Sequence, residues 1–404
     1  MCVSHDAGLG RRIRERRVAR GLSLRVVAEL AGLSEGHLSR IERGLRPVDR
    51  RSTLEAIAAA LQVAPTDLTD GWHIATSRPD AAAYSALVAL RAALADSSLG
   101  DPAVDTARPW PALAAALARL NEQLRPAHDY AGFGALLPGL IAELHVVAGT
   151  AGEHRAAALW GLLDCYAAAA LSTKSLGDPS AAQVAAMHAR DVAGVLGHPV
   201  ASARAASLLA QAVTSPTRER TLTVARRAAA ELAATDLGAP GAAEMCGMLH
   251  LTSSLAAAAL RRPAESAEHL GAAAELAERV GDVSPYNNTF FGTANLTFWR
   301  MALAAEAGEG GKVVELARTV DPQRIPSPGR QAAYWSDLGR GLAMDRNRRP
   351  QAVVALRRAE ELDPLTVRAS PYVRSTVVDL VRRARRDAAG ADLRGMAYRM
   401  GIAV

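Results

Sequence analysis

Along the first seventy residues, apolar positions recur at helical spacing and are interrupted at short intervals by glycine and serine. Leu9, Ile13 and Val18 set a helix of about three turns that closes at Gly21. Ser23, a good N-cap residue, opens a second helix carrying Leu24, Val27, Ala28 and Leu30. Ala31-Gly32-Leu33 breaks it, and Ser34 caps a third helix with Leu38 and Ile41 turned inward, closing at Gly44. After the basic loop 45–51 a fourth helix is predicted from Ser52 to Leu61, and Pro65 opens a short fifth. Two short helices joined by a Gly-containing turn and flanked by arginine make a helix-turn-helix arrangement.

From about residue 80 onward the pattern is one of helices roughly 15–20 residues long, separated by Gly, Pro and Asp. Similar breaks recur at Gly197-His198-Pro199, Gly238-Ala239-Pro240, Gly281-Asp282-Val283, Asp321-Pro322 and Asp363-Pro364, at spacings of 41, 43, 40 and 42 residues. A fixed period with two helices per unit is the signature of an α-solenoid. Residues 81–150 are expected to add one or two degenerate units, and the run from Leu393 to Arg399 a capping helix. The expected fold is all-α: a five-helix head over 1–70, a linker over 71–80, and a helical-repeat body over 81–404.

Composition supports this. Alanine fills over a fifth of the 404 positions and only 4% are aromatic, a helix-forming balance that argues against sandwiches, barrels and large parallel sheets. Charge then divides the chain. Residues 1–51 hold 12 Arg against 6 Asp and Glu, which accounts for the whole net charge of +6. A polycationic head on a neutral body suggests a nucleic-acid partner for the head. The N-terminal run is polar and then basic, and the long uncharged stretch Val283–Trp299 holds Pro285 and several amides. No membrane contact is expected, and the chain is expected in the cytoplasm. Cys2, Cys165 and Cys246 have no CxxC spacing, so neither a disulfide framework nor a zinc site is expected.

Two motifs mimic catalytic ones. Gly32-Leu33-Ser34-Glu35-Gly36 fits the G-x-S-x-G nucleophile elbow, which needs a strand before it; here a helix precedes. Gly310-Gly311-Lys312 lacks the Walker spacing and its Ser/Thr. No HExxH or paired-carboxylate motif appears, so the chain is expected to be no enzyme, with no catalytic residues, metal or cofactor. Arg382-Arg383-x-Arg385-Arg386 reads as a solvated helix face.

The ordered series Leu9-Gly10-x-x-Ile13-Arg14-x-x-Arg17, Gly21-Leu22-Ser23, Ala28, Gly32-Leu33-Ser34, Leu38-Ser39-x-Ile41-Glu42-x-Gly44 and Leu54-x-x-Ile57-x-x-x-Leu61 resembles the phage-repressor-like Cro/C1 (XRE) family across residues 9–68. That resemblance places the third helix in the DNA major groove. It implies that Glu35, Gly36, His37 and Arg40 face base edges, and that Ser34, Ser39, Arg43 and Arg46 face phosphates. Arg40 can fork to guanine, and Glu35 can accept from cytosine N4. It also implies that Arg17 and Glu42 form a buried pair tying the first helix to the third. Leu24 departs from the family, where a glutamine usually makes a phosphate contact.

Pro263-Ala264-Glu265-x-Ala267-x-x-His269-Leu270 and Arg349-Pro350-Gln351-Ala352-x-x-Ala355-Leu356-x-x-Ala359 resemble second helices of tetratricopeptide repeats. The whole resembles regulators of actinobacteria and the peptide-pheromone receptors of Gram-positive bacteria. It implies a homodimeric transcription factor on a double-stranded DNA operator, its repeats sensing a peptide or small-molecule effector. The alternative is a scaffold whose repeats bind a partner protein. For the effector, residues 286–299 hold three of the chain's five Asn and three of its four Phe. On one helix, Asn288, Phe291, Asn295 and Trp299 would share a stripe and line a ligand groove, with Tyr334-Trp335 extending it. The rival reading makes the aromatics core and the amides caps.

Overall fold

The computed structural model describes residues 6–63, 65–69, 78–96, 98–212, 218–383 and 390–402. The fold is all-α. The head consists of α1 (Asp6–Ala19), α2 (Leu24–Leu30), α3 (Glu35–Glu42), α4 (Arg51–Ala60) and α5 (Pro65–Leu68). Its core gathers Ile13, Val27, Leu38, Ile41, Ile57, Leu61 and Leu68. Both expected serine caps form, with Ser23 Oγ accepting from the Val26 amide and Ser34 Oγ from the His37 amide, each at 3.2 Å. Such caps satisfy helix N–H groups that have no partner of their own.

Arg17 spans α1 and α3 as a fork. Its Nε and Nη2 donate to the two Glu42 oxygens at 2.7 and 2.8 Å, and Nη1 donates to the Leu22 carbonyl. The helices can approach this closely because Gly10 carries no side chain: a Cβ there would lie 2.3 Å from the Ile41 carbonyl oxygen. Val18 and Leu30, counted with the apolar spacing, are exposed at 59% and 64%. Arg17, not Val18, occupies the inward register of the last turn of α1.

The expected linker over 71–80 lies outside the described residues up to 77, and the chain is already helical from Arg78. The body opens with α6 (Arg78–Asp96) and α7 (Trp110–Arg119), which passes through a π-helical turn, Leu120–Leu124, into α8 (Arg125–Ala127) and then α9 (Tyr130–Gly149). Hairpins follow: α10 (Arg155–Ser175) with α11 (Pro179–Leu196), α12 (Pro199–Gln211) with α13 (Glu219–Ala233), and α14 (Ala242–Ala259) with α15 (Pro263–Val280). Next come α16 (Thr293–Ala307) with α17 (Gly310–Ala317), and α18 (Pro328–Ala343) with α19 (Arg349–Leu362). The end is α20 (Pro364–Ala369), α21 (Pro371–Arg383) and α22 (Ala391–Arg399), the last packing on α19 and α21.

The breaks read at forty-residue intervals fall between successive hairpins, from the α11–α12 junction to the α19–α20 junction. Alanine sets the helix spacing: Ala182, Ala185, Ala186 and Ala189 of α11 are buried, as are Ala352, Ala355 and Ala359 of α19. Two helices, α9 and α10, are long and apolar enough to cross a bilayer. The apolar window of α10 is 72% buried inside the body, as befits a core helix. Cys165 and Cys246 are free and buried; Cys2 lies outside the described residues.

Two expectations follow. Glu42→Ala leaves the Arg17 guanidinium unpaired at a helix crossing and should cost the head about 3 kcal/mol, read as faster amide exchange across α1 and α3; unchanged exchange would contradict the buried pair. The second concerns pH. Burial, reinforced by His188, pushes His145 down to about 4, and burial also lowers His250 and His269, whose Nδ1 atoms face each other at 3.0 Å. The unfolded chain then binds protons that the folded body refuses. Stability from these residues is full above the usual imidazole value of 6.5 and is lost as pH falls from there toward about 4. Thermal melts across that window should show the decline, and His145→Gln should flatten part of it.

Candidate nucleic-acid interface and its seat on the body

α3 forms because Ser34 caps it and because Leu38 and Ile41 anchor one side in the head core. The opposite side is open. Glu35, Gly36 and Arg40 are exposed there, Ser34, Arg43 and Arg46 are exposed around them, and His37 and Ser39 are half-buried. Arg40 Nε lies against its own helix, donating to the Gly36 carbonyl at 3.1 Å, and Arg43 Nε does the same to Ser39 at 3.3 Å. Burial and the nearby Arg46 and Arg40 lower the His37 pKa. In the G-x-S-x-G run, helix and not strand precedes Ser34, whose hydroxyl is occupied as a cap. Arg40 and Arg46 also border a cleft of about 380 Å³, walled on the far side by Arg340, Met344, Asp379 and Arg383 of the body. Arg383 is held by Asp379 at 2.7 Å; Arg385 and Arg386 lie outside the described residues.

The face of the head opposite α3 is seated on the body. α4 begins at Arg50, whose side chain makes no capping bond. The missing cap comes from α16: Glu306 accepts from the Arg51 amide at 2.9 Å and from the Ser52 amide at 2.7 Å. Glu306 is only 4% exposed. A second tie joins Glu55 to Arg218 at 2.7 Å, with burial pushing the Glu55 carboxyl up against the pull of that arginine. Arg340 donates to the Asp49 carbonyl at 2.9 Å. The Arg51 and Arg340 guanidiniums lie 4.8 and 5.4 Å from the centre of the Tyr372 ring. Gly308, just past α16, passes beneath Arg50, where a Cβ would lie 2.1 Å from Nη2. Beside these ties a chamber of about 980 Å³ opens between head and body, bordered by Arg12, Arg51 and Glu55 on one side and Lys174, Arg218 and Trp299 on the other.

The proposed ligand stripe is not one stripe. α16 begins only at Thr293, and the chain before it turns at Asn287, Asn288 and Phe290, all with positive φ. Such backbone is costly for a side chain like Phe and takes Asn288 and Phe291 off the helix. Phe291 is fully buried over Gly247, where a Cβ would collide with its ring. Asn295 is also fully buried, donating to the Thr289 carbonyl at 2.9 Å and accepting from Arg330. Trp299 lies across Arg330 with its Nε1 unpartnered and faces the head–body chamber. Asn288 alone of the four borders the cavity described below. Tyr334 is core, its hydroxyl donating to the Ala317 carbonyl.

Residues 8–71 match the family described as a helix-turn-helix domain. The head is a helix-turn-helix domain. Comparison with curated proteins and with solved structures gave no match. A helix-turn-helix domain suggests a DNA-binding regulator.

Sequence reasoning missed Glu306, Arg218 and Arg340, which meet the head from positions more than 160 residues away. The only local trace was Arg50, a poor cap for a helix that nonetheless forms. Glu306→Ala should weaken the seat by about 1 kcal/mol, the cost of a lost cap. Amide exchange at Arg51 and Ser52 should rise with α1–α3 unchanged; exchange equal to wild type would contradict the assignment.

Proposed function

We propose that the chain is a sequence-specific transcriptional regulator, acting in the cytoplasm, whose body positions the helix-turn-helix head and sets its occupancy of DNA. The carrying observation is the division of the head into two faces. The solvent-exposed side of α3 carries Glu35, Gly36 and Arg40, with His37 half-buried beside them, which supports reading these four as the base contacts, while α4 on the other side is tied to the body. Ser34, Ser39, Arg43 and Arg46 surround that strip as phosphate contacts. One such head covers a single half-site, too little for specificity in a genome. The body, resembling tetratricopeptide hairpins, is therefore the part that pairs two copies across a two-fold operator. Its interior is where a small ligand acts: α16 carries Asn295, bound to Arg330, in its first turn and Glu306, bound to the head, in its last. A change at one end is transmitted along one rigid helix to the other.

Binding curves on the operator and on scrambled DNA test the DNA reading. Arg40→Ala should cost roughly 1–3 kcal/mol on the operator and relax preference at one base pair, whereas Arg46→Ala should weaken all sequences alike and flatten the salt dependence. Equal losses on both DNAs from Arg40→Ala would remove it from the base-reading set.

A further inference from the structure

Within the body, α8, α9, α10, α12, α14 and α18 and the loop 286–290 line a partly open cavity of about 230 Å³. An apolar cavity of roughly 150 Å³ is already large enough to take up benzene. Its walls include three arginines, Arg125, Arg204 and Arg330, and no aspartate or glutamate. Arg125 and Arg204 are nine-tenths buried. They share one carboxylate, Asp164, which stands outside this cavity on the neighbouring one. Both also donate to the Asn287 amide oxygen, and Arg125 donates further to the Asn121 amide oxygen and the Asn287 carbonyl. The Arg330 guanidinium donates to the Asn295 amide oxygen and lies on the Trp299 face, with Asp337 acting on it at longer range.

The accounting does not balance. Arg204 Nε and Arg330 Nε are buried and have no acceptor. Burial holds Arg125 and Arg330 down at about 10, yet guanidinium stays protonated at neutral pH, so the cavity keeps its positive charge. Three guanidiniums against one carboxylate leave buried positive charge in excess, which is costly, in a space also lined by Phe133, Leu171, Leu208 and Met248. The π-helical turn that delivers Arg125 is a feature found mostly at functional sites.

We propose that this cavity binds a small organic anion, an apolar body bearing a carboxylate or phosphate, with the anionic group held among Arg125, Arg204 and Arg330. Guanidinium forks match such groups with paired charge-assisted hydrogen bonds, and the apolar wall takes the remainder. Asn287, already bonded to two of the arginines, orients them as a positioning residue. This deepens the sensing part of the proposed function and rests on it only for the consequence. Occupancy would draw Arg330 from Asn295 at the head of α16, the helix whose last turn holds Glu306 against α4.

The test uses the full chain without DNA. Titration with phenylacetate, followed by tryptophan fluorescence and thermal melting, should give saturable binding and a rising melting temperature; Trp160 and Trp299 stack on Arg204 and Arg330 and report directly. Phenylacetamide, with the same shape and no charge, should do neither. Arg330→Gln should weaken binding by roughly tenfold or more, the loss of a charged hydrogen bond. Should that variant fold poorly, Leu171→Trp keeps all three arginines and blocks the cavity, and it should bind no better. Equal binding of acid and amide, equal affinity in Arg330→Gln, or no saturable binding of phenylacetate or phenyl phosphate would overturn the proposal. Operator affinity separates the two readings. An occupied cavity that leaves it unchanged refutes sensing and spares the site, whereas a protein that answers culture extract but binds no anion does the reverse.

Discussion

A carboxylate from the body completes a helix of the head. α4 starts without a cap of its own, and two of the amides that every helix leaves unpaired at its N-terminus are satisfied by Glu306 across the interface. The negative charge sits where the helix dipole favours it, and it is buried, so the pairing fixes both distance and orientation. Arg218–Glu55, Arg340–Asp49 and the Tyr372 ring hold the rest of that face. This seat leaves the outer side of α3 exposed and makes the angle of α3 a property of the body.

The arginine usage of the chain has a structural consequence. Only two of its 47 basic residues are lysines, so nearly every cation is a planar fork. Where a fork meets a carboxylate, as Arg17 meets Glu42 or Arg399 meets Glu360, it ties one helix to another. Where forks outnumber carboxylates, as at the body cavity with its single Asp164, the same chemistry leaves donors waiting. A body neutral as a whole can thus be strongly cationic at one interior point, which net charge per segment does not reveal.

Much of this was legible beforehand. The serine caps, the inward registers of Ile13, Val27, Leu38 and Ile41 and the forty-residue rhythm rest on local chemistry repeated in order, whereas the Arg17–Glu42 tie was implied only by the family resemblance. Val18 and Leu30 misled because single apolar residues on a surface are common. The 286–299 stretch misled because helical spacing was assumed through residues whose positive φ breaks it. The seat on Glu306 and the arginine cavity were not legible, since each joins side chains brought together only by stacking several hairpins. Arg204, set among the alanines and leucines of α12, was the one available hint: a cation at a core register must have something to meet.

The ties at Glu306, Arg218 and Arg340 hold the head on the body in one orientation. Spin labels at exposed Val18 on α1 and exposed Val195 on α11, with Cys2 replaced by serine, measure it directly by pulsed electron paramagnetic resonance. The account expects one narrow head-to-body distance in the otherwise unaltered chain and a broad distribution when Glu306→Ala and Arg218→Ala are combined. A broad distribution already present without those changes would contradict it.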